Sequence, residues 1–329
     1  MRLTHHYKLI NSADYKDGCN NADGYYTICV EDLKDSPDIE IIGGPMQQAP
    51  RWVRILIKTL RILHIPRSIL RPLVKAESDD GPEVCILLFR LVKATYLNWL
   101  RLKYPQAKFI FFLRDLYMTK MPTIGYYRKE HLIDIWGSYD KDEAEKYHFD
   151  FYYPEIESKI NLSDIDVTPI CDVFFAGAAK KRLPALLEAY DYLTGYGIRC
   201  HFIIMDAKTT EADMREGIEY THELIPYREM LIHSLRCKCM LEINQDGAVG
   251  MTSRFLEAVM YNKKLITNSQ SVKDSPFYRP QYIKLYEKIT EVNPSFVLDE
   301  SPVDYGYNNE FSPIGMLEHI DEVISGRES

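Results

Sequence analysis

The chain has 329 residues, of which 46% are hydrophobic and 27% charged. That balance excludes a disordered chain and leaves room for two domains of ordinary size. A formal net charge of −8 excludes general nucleic-acid binding over the whole surface. The cysteines are odd in number and scattered, which excludes a paired disulfide framework. Cys85, Cys171, Cys200 and Cys239 begin or flank apolar runs and read as reduced core residues of a cytoplasmic protein. No cysteine or histidine pair stands at zinc-ligand spacing, so no metal is expected. The first residues lack the apolar core of an export signal, and no run approaches the ~20 apolar residues of a membrane span.

In chain order, residues 39–42 read as a strand ending at a Gly-Gly-Pro turn. Residues 51–75 hold Arg51, Arg54, Lys58, Arg61, Arg67, Arg71 and Lys75 and no acid. Up to Pro66 these cations recur every three or four residues beside Trp52, Val53, Leu56, Leu60 and Leu63, the pattern of a basic amphipathic helix broken at the proline. Residues 84–89 read as a buried strand, 95–103 as a helix, 108–113 as a strand, and 133–136 as another. Ser138 or Asp140 can cap the helix that follows through Glu145. Residues 154–168 are polar and read as an interdomain linker. The boundaries are therefore placed at 1–160 and 161–329.

The second half repeats this grammar. Strands are expected at 173–176, 200–205, 239–243, 265–267 and 282–285, with helices at 183–194 and 227–236. Gly195 and Gly197 end the first of these helices. A last helix, capped by Ser312 with Pro313 in its first turn, runs to Ile324 and is expected to pack back on the N-terminal domain. Between the strands at 239–243 and 265–267 stands N-Q-D-G-A-V-G-M-T-S-R-F-L-E-A-V-M-Y. A strand thus feeds a loop with Gly247 and Gly250. The hydroxyls of Thr252 and Ser253 follow, then a helix carrying Arg254 and Glu257. Free N–H groups and the positive dipole end make such a helix start a natural phosphate site. The fold class is α/β: two Rossmann-like domains facing each other across a cleft, with ligands at the carboxyl ends of the strands.

The strings F-F-A-G-A-A-K-K-R-L-P-A-L-L-E-A-Y, S-L-R-C-K-C-M-L-E-I-N-Q-D-G and R-F-L-E-A-V-M-Y-N-K-K-L-I-T-N resemble the donor domain of GT-B glycosyltransferases, over about residues 170–290. The likeness is strongest to bacterial enzymes of capsule, O-antigen and exopolysaccharide assembly. The first half matches in its order of elements. The resemblance implies a nucleotide-sugar donor as substrate, no bound cofactor, and a glycan acceptor that is lipid-linked. In many retaining members two glutamates eight positions apart flank the glycine loop, the second contacting the donor ribose. Glu257 matches the second position; the first falls on Val249, with Asp246 eleven residues before Glu257. The pattern is broken and assigns no stereochemical outcome. Lys180, Lys181 and Arg182, after Gly177, fill the place of the basic residues that hold the diphosphate.

Without a metal, the leaving diphosphate must be stabilised by N–H groups, hydroxyls and cations. Gly250, Thr252, Ser253, Arg254, Lys181 and Arg182 can supply them. Arg254 and Glu257, at i and i+3, could equally form a plain surface ion pair on a flank facing solvent or cleft. Lys180–Arg182 could be a solvated helix start, although basic charge there opposes the helix dipole and favours an anion partner. Asp115, after a strong strand, is the candidate catalytic base; pairing with Arg114 is the competing reading. For Arg51, Arg54, Lys58 and Arg61 the expectation is an anionic membrane surface on the inner face of the cell membrane, against a helix packed on the first domain with a basic solvent face. Two rival functions remain open. One is a non-catalytic membrane-associated partner of a polysaccharide assembly complex. The other is transfer of another nucleotide-activated group such as polyol phosphate.

Overall fold

A computed structural model describes residues 3–10, 31–33, 36–42, 49–114, 117–223, 225–244 and 251–328. The chain divides into two compact units. The described residues of 1–22, 29–158 and 312–329 form unit 1, and those of 159–311 form unit 2. The cut at Ser158/Lys159 falls inside the 154–168 segment, and the last helix belongs to unit 1.

Unit 1 contains β1 (His6–Ile10), β2 (Ile39–Ile42), α1 (Arg51–Ile62), a 3-10 segment (Arg67–Leu73), β3 (Val84–Leu88) and α2 (Ala94–Lys103). Then come β4 (Lys108–Leu113), α3 (Tyr117–Lys129), β5 (Ile135–Ser138), α4 (Lys141–Lys146) and β6 (Phe151–Tyr152). Its sheet runs β2-β1-β3-β4-β5-β6, every pairing parallel. Val84–Leu88 and Phe109–Leu113 are continuously buried because helices cover both faces of such a sheet. The strand expected at 133–136 lies two residues later, at 135–138. Asp140 caps α4, its carboxylate accepting from Glu143 N at 2.9 Å. The 154–168 stretch is irregular, yet Glu155, Ile156, Glu157, Ser158 and Ile160 in it are buried.

Unit 2 contains β7 (Cys171–Ala178), α5 (Leu183–Gly195), β8 (Cys200–Met205), β9 (Ile218–Thr221), α6 (Tyr227–Leu235) and β10 (Cys237–Glu242). It continues with α7 (Ser253–Met260), β11 (Lys264–Thr267), β12 (Ile283–Leu285) and the short α8 (Ser295–Leu298). The sheet order is β12-β11-β10-β7-β8-β9, all parallel. Along β7 successive side chains enter opposite cores. Val173 and Phe175 pack with Leu186, Leu193 and Phe202. Phe174 and Ala176 pack with Leu235, Met240 and Leu256. Counted from β7, the order is the doubly wound 3-2-1-4-5-6 of a dinucleotide-type sheet, and its direction reverses between β7 and β10.

The closing helix, α9 (Pro313–Glu328), completes unit 1. Its Asp321 carboxylate accepts from Thr4 N at 2.6 Å and lies 2.8 Å from His5 Nδ1, tying α9 to the start of β1. The described cysteines Cys85, Cys171, Cys200, Cys237 and Cys239 are free and buried. Among the described residues, no helix is long and apolar enough to cross a membrane.

Candidate functional site

In doubly wound sheets ligands bind at the carboxyl ends of the strands that flank such a reversal, here β7 and β10 of unit 2. Gly177 and Ala178 end β7; Glu242 ends β10, and Ile243 and Asn244 follow it. Arg182 crosses between them. Its guanidinium donates to Ala178 O from Nε (3.1 Å) and Nη2 (2.9 Å), and from Nη1 to Ile243 O. Gly177 makes room for this. A Cβ there would stand 2.9 Å from Arg182 Nη2 and 3.2 Å from the Phe175 ring. Burial pulls the Arg182 pKa down; Glu242 nearby pushes it up, and Arg254 lowers it further.

Glu242 is the residue that sequence reasoning passed over. Its carboxylate accepts from the hydroxyls of Thr252 and Thr267. It therefore joins the end of β10 to the N-cap of α7 and the end of β11. Burial raises its pKa against the opposing effect of those two hydroxyls. The available signal was an acid closing the strand C-K-C-M-L-E directly after the apolar pair Met240-Leu241.

Thr252 is the N-cap of α7, its Oγ1 accepting from Arg254 N at 3.2 Å, and Ser253 is the first helical residue. Arg254 and Glu257 do pair, but not at the surface: their side chains are 12% and 1% exposed. The flank expected to face solvent or cleft is covered by α6. Glu257 accepts from Tyr227 OH at 2.6 Å and from Arg254; Arg254 Nη1 donates to Ser234 Oγ at 2.6 Å and Nη2 to Ala176 O at 3.3 Å. The pair braces α7 against α6 and β7.

Lys180 and Lys181 stand apart from this network. Both are exposed on the turn before α5, and neither forms an ion pair among the described residues. Lys180 has φ 45°, in the left-handed region that non-glycine residues seldom adopt. Asn244, next to the loop, takes Asn268 Oδ1 on its backbone N at 2.7 Å. Its side-chain Nδ2 is buried without a hydrogen-bond partner among the described residues. Gly247 and Gly250 lie outside the described residues, as does Asp115. Arg114 pairs with Glu155 in the interior of unit 1 and donates from Nη2 to Ile156 O at 2.8 Å.

The basic segment of unit 1 has a different division of faces from the expected one. Val53 and Ile57 are buried and Leu56 and Leu60 partly so, packed with Leu70 and Val74 on Leu102 and Trp99 of α2. Trp52 and Leu63, grouped with them by sequence, are exposed at 46% and 59%. Ile55, Ile62, Ile65, Ile69 and Leu73 are exposed with them. Arg51, Lys58 and Arg61 lie at the surface and Arg54 is half-buried. The helix is thus packed on unit 1 through one apolar stripe while a second stays in solvent.

No family profile and no curated protein matches the sequence. Solved structures do match in fold. The structure of AviGT4, a glycosyltransferase involved in avilamycin A biosynthesis, is 10% identical with a TM-score of 0.52, covering 98% of this chain and 96% of that one. The Anabaena Alr3699/HepE structure, in complex with UDP and glucose, is 8% identical with a TM-score of 0.52, covering 98% and 100%. The TarM structure is 10% identical with a TM-score of 0.48 over 78% of this chain, which spans only 57% of that longer protein. The shared fold is the two-domain α/β fold of GT-B glycosyltransferases.

Proposed function

We propose that the protein is a glycosyltransferase that takes a sugar from a nucleotide donor held at the β7/β10 switch point of unit 2. The observation that carries this reading is the convergence there of Gly177, Arg182, Thr252 and Ser253 at a doubly wound crossover, beside exposed Lys180 and Lys181. A diphosphate would accept from the N–H groups and hydroxyl at the start of α7 and lie against the two lysines. These groups supply the stabilisation of the leaving group without a metal. HepE, of the same fold, is described in complex with UDP and glucose.

The acceptor in this reading is a lipid-linked glycan of a surface polysaccharide, reached from the inner face of the cell membrane. The exposed apolar and basic surface of residues 51–73 supports peripheral attachment there. Asp115 remains the proposed base. Incubation with UDP-, GDP-, CMP- and ADP-linked donors and a lipid-linked acceptor, followed by product mass, tests the reaction. A mass gain of one sugar is expected; a gain of polyol phosphate would reassign the transferred group. Liposome co-sedimentation tests attachment. Recovery should favour anionic vesicles and fall on changing Arg54, Lys58 and Arg61 to Glu.

One observation favours a second reading, a catalytically silent partner of an assembly complex. Glu257, the counterpart of a ribose-contacting glutamate, is buried with Tyr227 and Arg254 on its two oxygens. That reading predicts no sugar transfer and unchanged polymer output in cells carrying Glu257→Ala with Arg254→Ala.

A further inference from the structure

Unit 1 holds a concave site that the donor reading leaves unused. An open pocket of about 380 Å³ lies between the 3-10 segment, the C-terminal turn of α2 and the C-terminal end of α3. Those helices lead into β4 and β5, so the pocket sits at the amino ends of the strands, opposite the edge where doubly wound sheets bind their substrates. Its charged lining is Arg67, Arg71, Arg101, Lys129, Glu130 and His131.

The C-terminal end of α3 explains why two arginines lie side by side here. Arg67 donates from Nη1 to Glu130 O at 2.8 Å and from Nη2 to His131 O at 3.3 Å; Arg101 donates from Nε to Leu132 O at 3.0 Å. Carbonyls at a helix end attract cations. They do not neutralise them. Arg101 has a carboxylate at 2.8 Å, that of Asp134, and Glu130 supplies the other nearby acid. Arg71 and Lys129 have no acid partner among the described residues. With histidine neutral, four cations against two acids leave a surplus of two positive charges in a chain whose net charge is −8. Burial holds the Arg67 pKa down, and the like charges of Arg101 and Arg71 lower it further.

The 3-10 segment itself adds a second observation. Ile69 and Leu73, on the same 3-10 segment as Arg67 and Arg71, are 59% and 62% exposed, whereas Leu70 is buried in the core. Cations lining the pocket, with exposed apolar side chains on the same 3-10 segment, match a charged headgroup and its acyl chains. We propose that this pocket binds the phosphomonoester group of an anionic membrane lipid. A phosphomonoester carries about −1.5 to −2 charges at neutral pH, which matches the surplus, and its three oxygens accept charge-assisted hydrogen bonds from guanidinium and ammonium groups. A phosphodiester headgroup carries one charge and leaves the other cation uncompensated.

The inference rests on the membrane reading of residues 51–75 and is tested separately from it. The full chain is sedimented with vesicles of equal surface charge made with phosphatidic acid or with phosphatidylglycerol. Wild type should bind phosphatidic acid vesicles about tenfold more strongly, the worth of one or two charge-assisted bonds. Arg71→Gln with Lys129→Gln, which removes neither carbonyl-holding arginine, should bring the ratio to about one while weakening phosphatidylglycerol binding no more than an equal charge loss outside the pocket does. Lys58→Gln with Lys75→Gln, an equal charge loss outside the pocket, should weaken both and keep the ratio. Equal wild-type binding to the two vesicles overturns the pocket and leaves the membrane reading standing. Absence of binding to either overturns both. Binding of inorganic phosphate in solution with no vesicle preference also overturns the lipid assignment.

Discussion

Removing one member of the Arg254–Glu257 pair should cost more than removing both. Glu257 is 1% exposed, and its oxygens are satisfied by Tyr227 OH and Arg254. Arg254→Met strands the carboxylate in the interior with one neutral donor. Breaking a buried pair in this way costs about 3–5 kcal/mol. Adding Glu257→Gln removes the stranded charge while keeping an acceptor for Tyr227, and the pair of changes should cost about 1–2 kcal/mol. The double variant should thus be about 2–3 kcal/mol more stable than Arg254→Met alone, and a double-mutant cycle that includes Glu257→Gln alone reads the coupling. The probe must see unit 2. All three tryptophans, Trp52, Trp99 and Trp136, lie in unit 1, so their fluorescence reports on unit 1 rather than on the site of the change. Hydrogen exchange of the β7 and β10 amides reports the opening free energy where the pair acts. A single change costing under about 1 kcal/mol, or costs that simply add, would refute a buried brace and return the pair to the surface.

Two further outcomes follow from the same network. Glu242 has its folded pKa raised by burial, above the unfolded value of about 4.3. The folded state therefore holds the proton more tightly, and its contribution to stability declines as pH rises from about 4.3 through the raised folded value. Glu242→Gln should abolish that decline, read as the difference in opening free energy from wild type between pH 4 and 8; parallel curves would contradict it. Gly177→Ala should displace the Arg182 guanidinium from Ala178 O and Ile243 O, destabilise unit 2 by about 1–3 kcal/mol and weaken nucleotide binding. Unchanged exchange and binding would show that Arg182 yields freely.

The doubly buried strands β3 and β4 were legible because sheets covered on both faces demand unbroken apolar runs. β1 was not: Lys8 in its middle is buried only because Glu40 and Asp79 pair with it, partners remote in sequence. α3 was hidden by Pro122 and Gly125, residues that weaken helix patterns. Its start is held by Glu143, whose carboxylate accepts from Tyr117 N at 2.9 Å. At the candidate site, the hydroxyl of Thr252 before α7 and the i,i+3 pair of Arg254 and Glu257 were readable from local spacing. The cover of α6 over that pair was not, because Tyr227 and Ser234 come from another element. The same holds for α1: helical spacing alone cannot choose which of two apolar stripes finds α2 as its neighbour.

The central claim is that unit 2 holds a nucleotide diphosphate at the β7/β10 switch point. Calorimetry of wild type with UDP, GDP, CMP and ADP, each alone and sugar-linked, tests it most directly, with Lys180→Gln plus Lys181→Gln alongside. Binding of at least one nucleoside diphosphate is predicted, about tenfold weaker in the double variant with the opening free energy of β7 unchanged. No heat from any nucleotide, or binding indifferent to both lysines, would contradict the account.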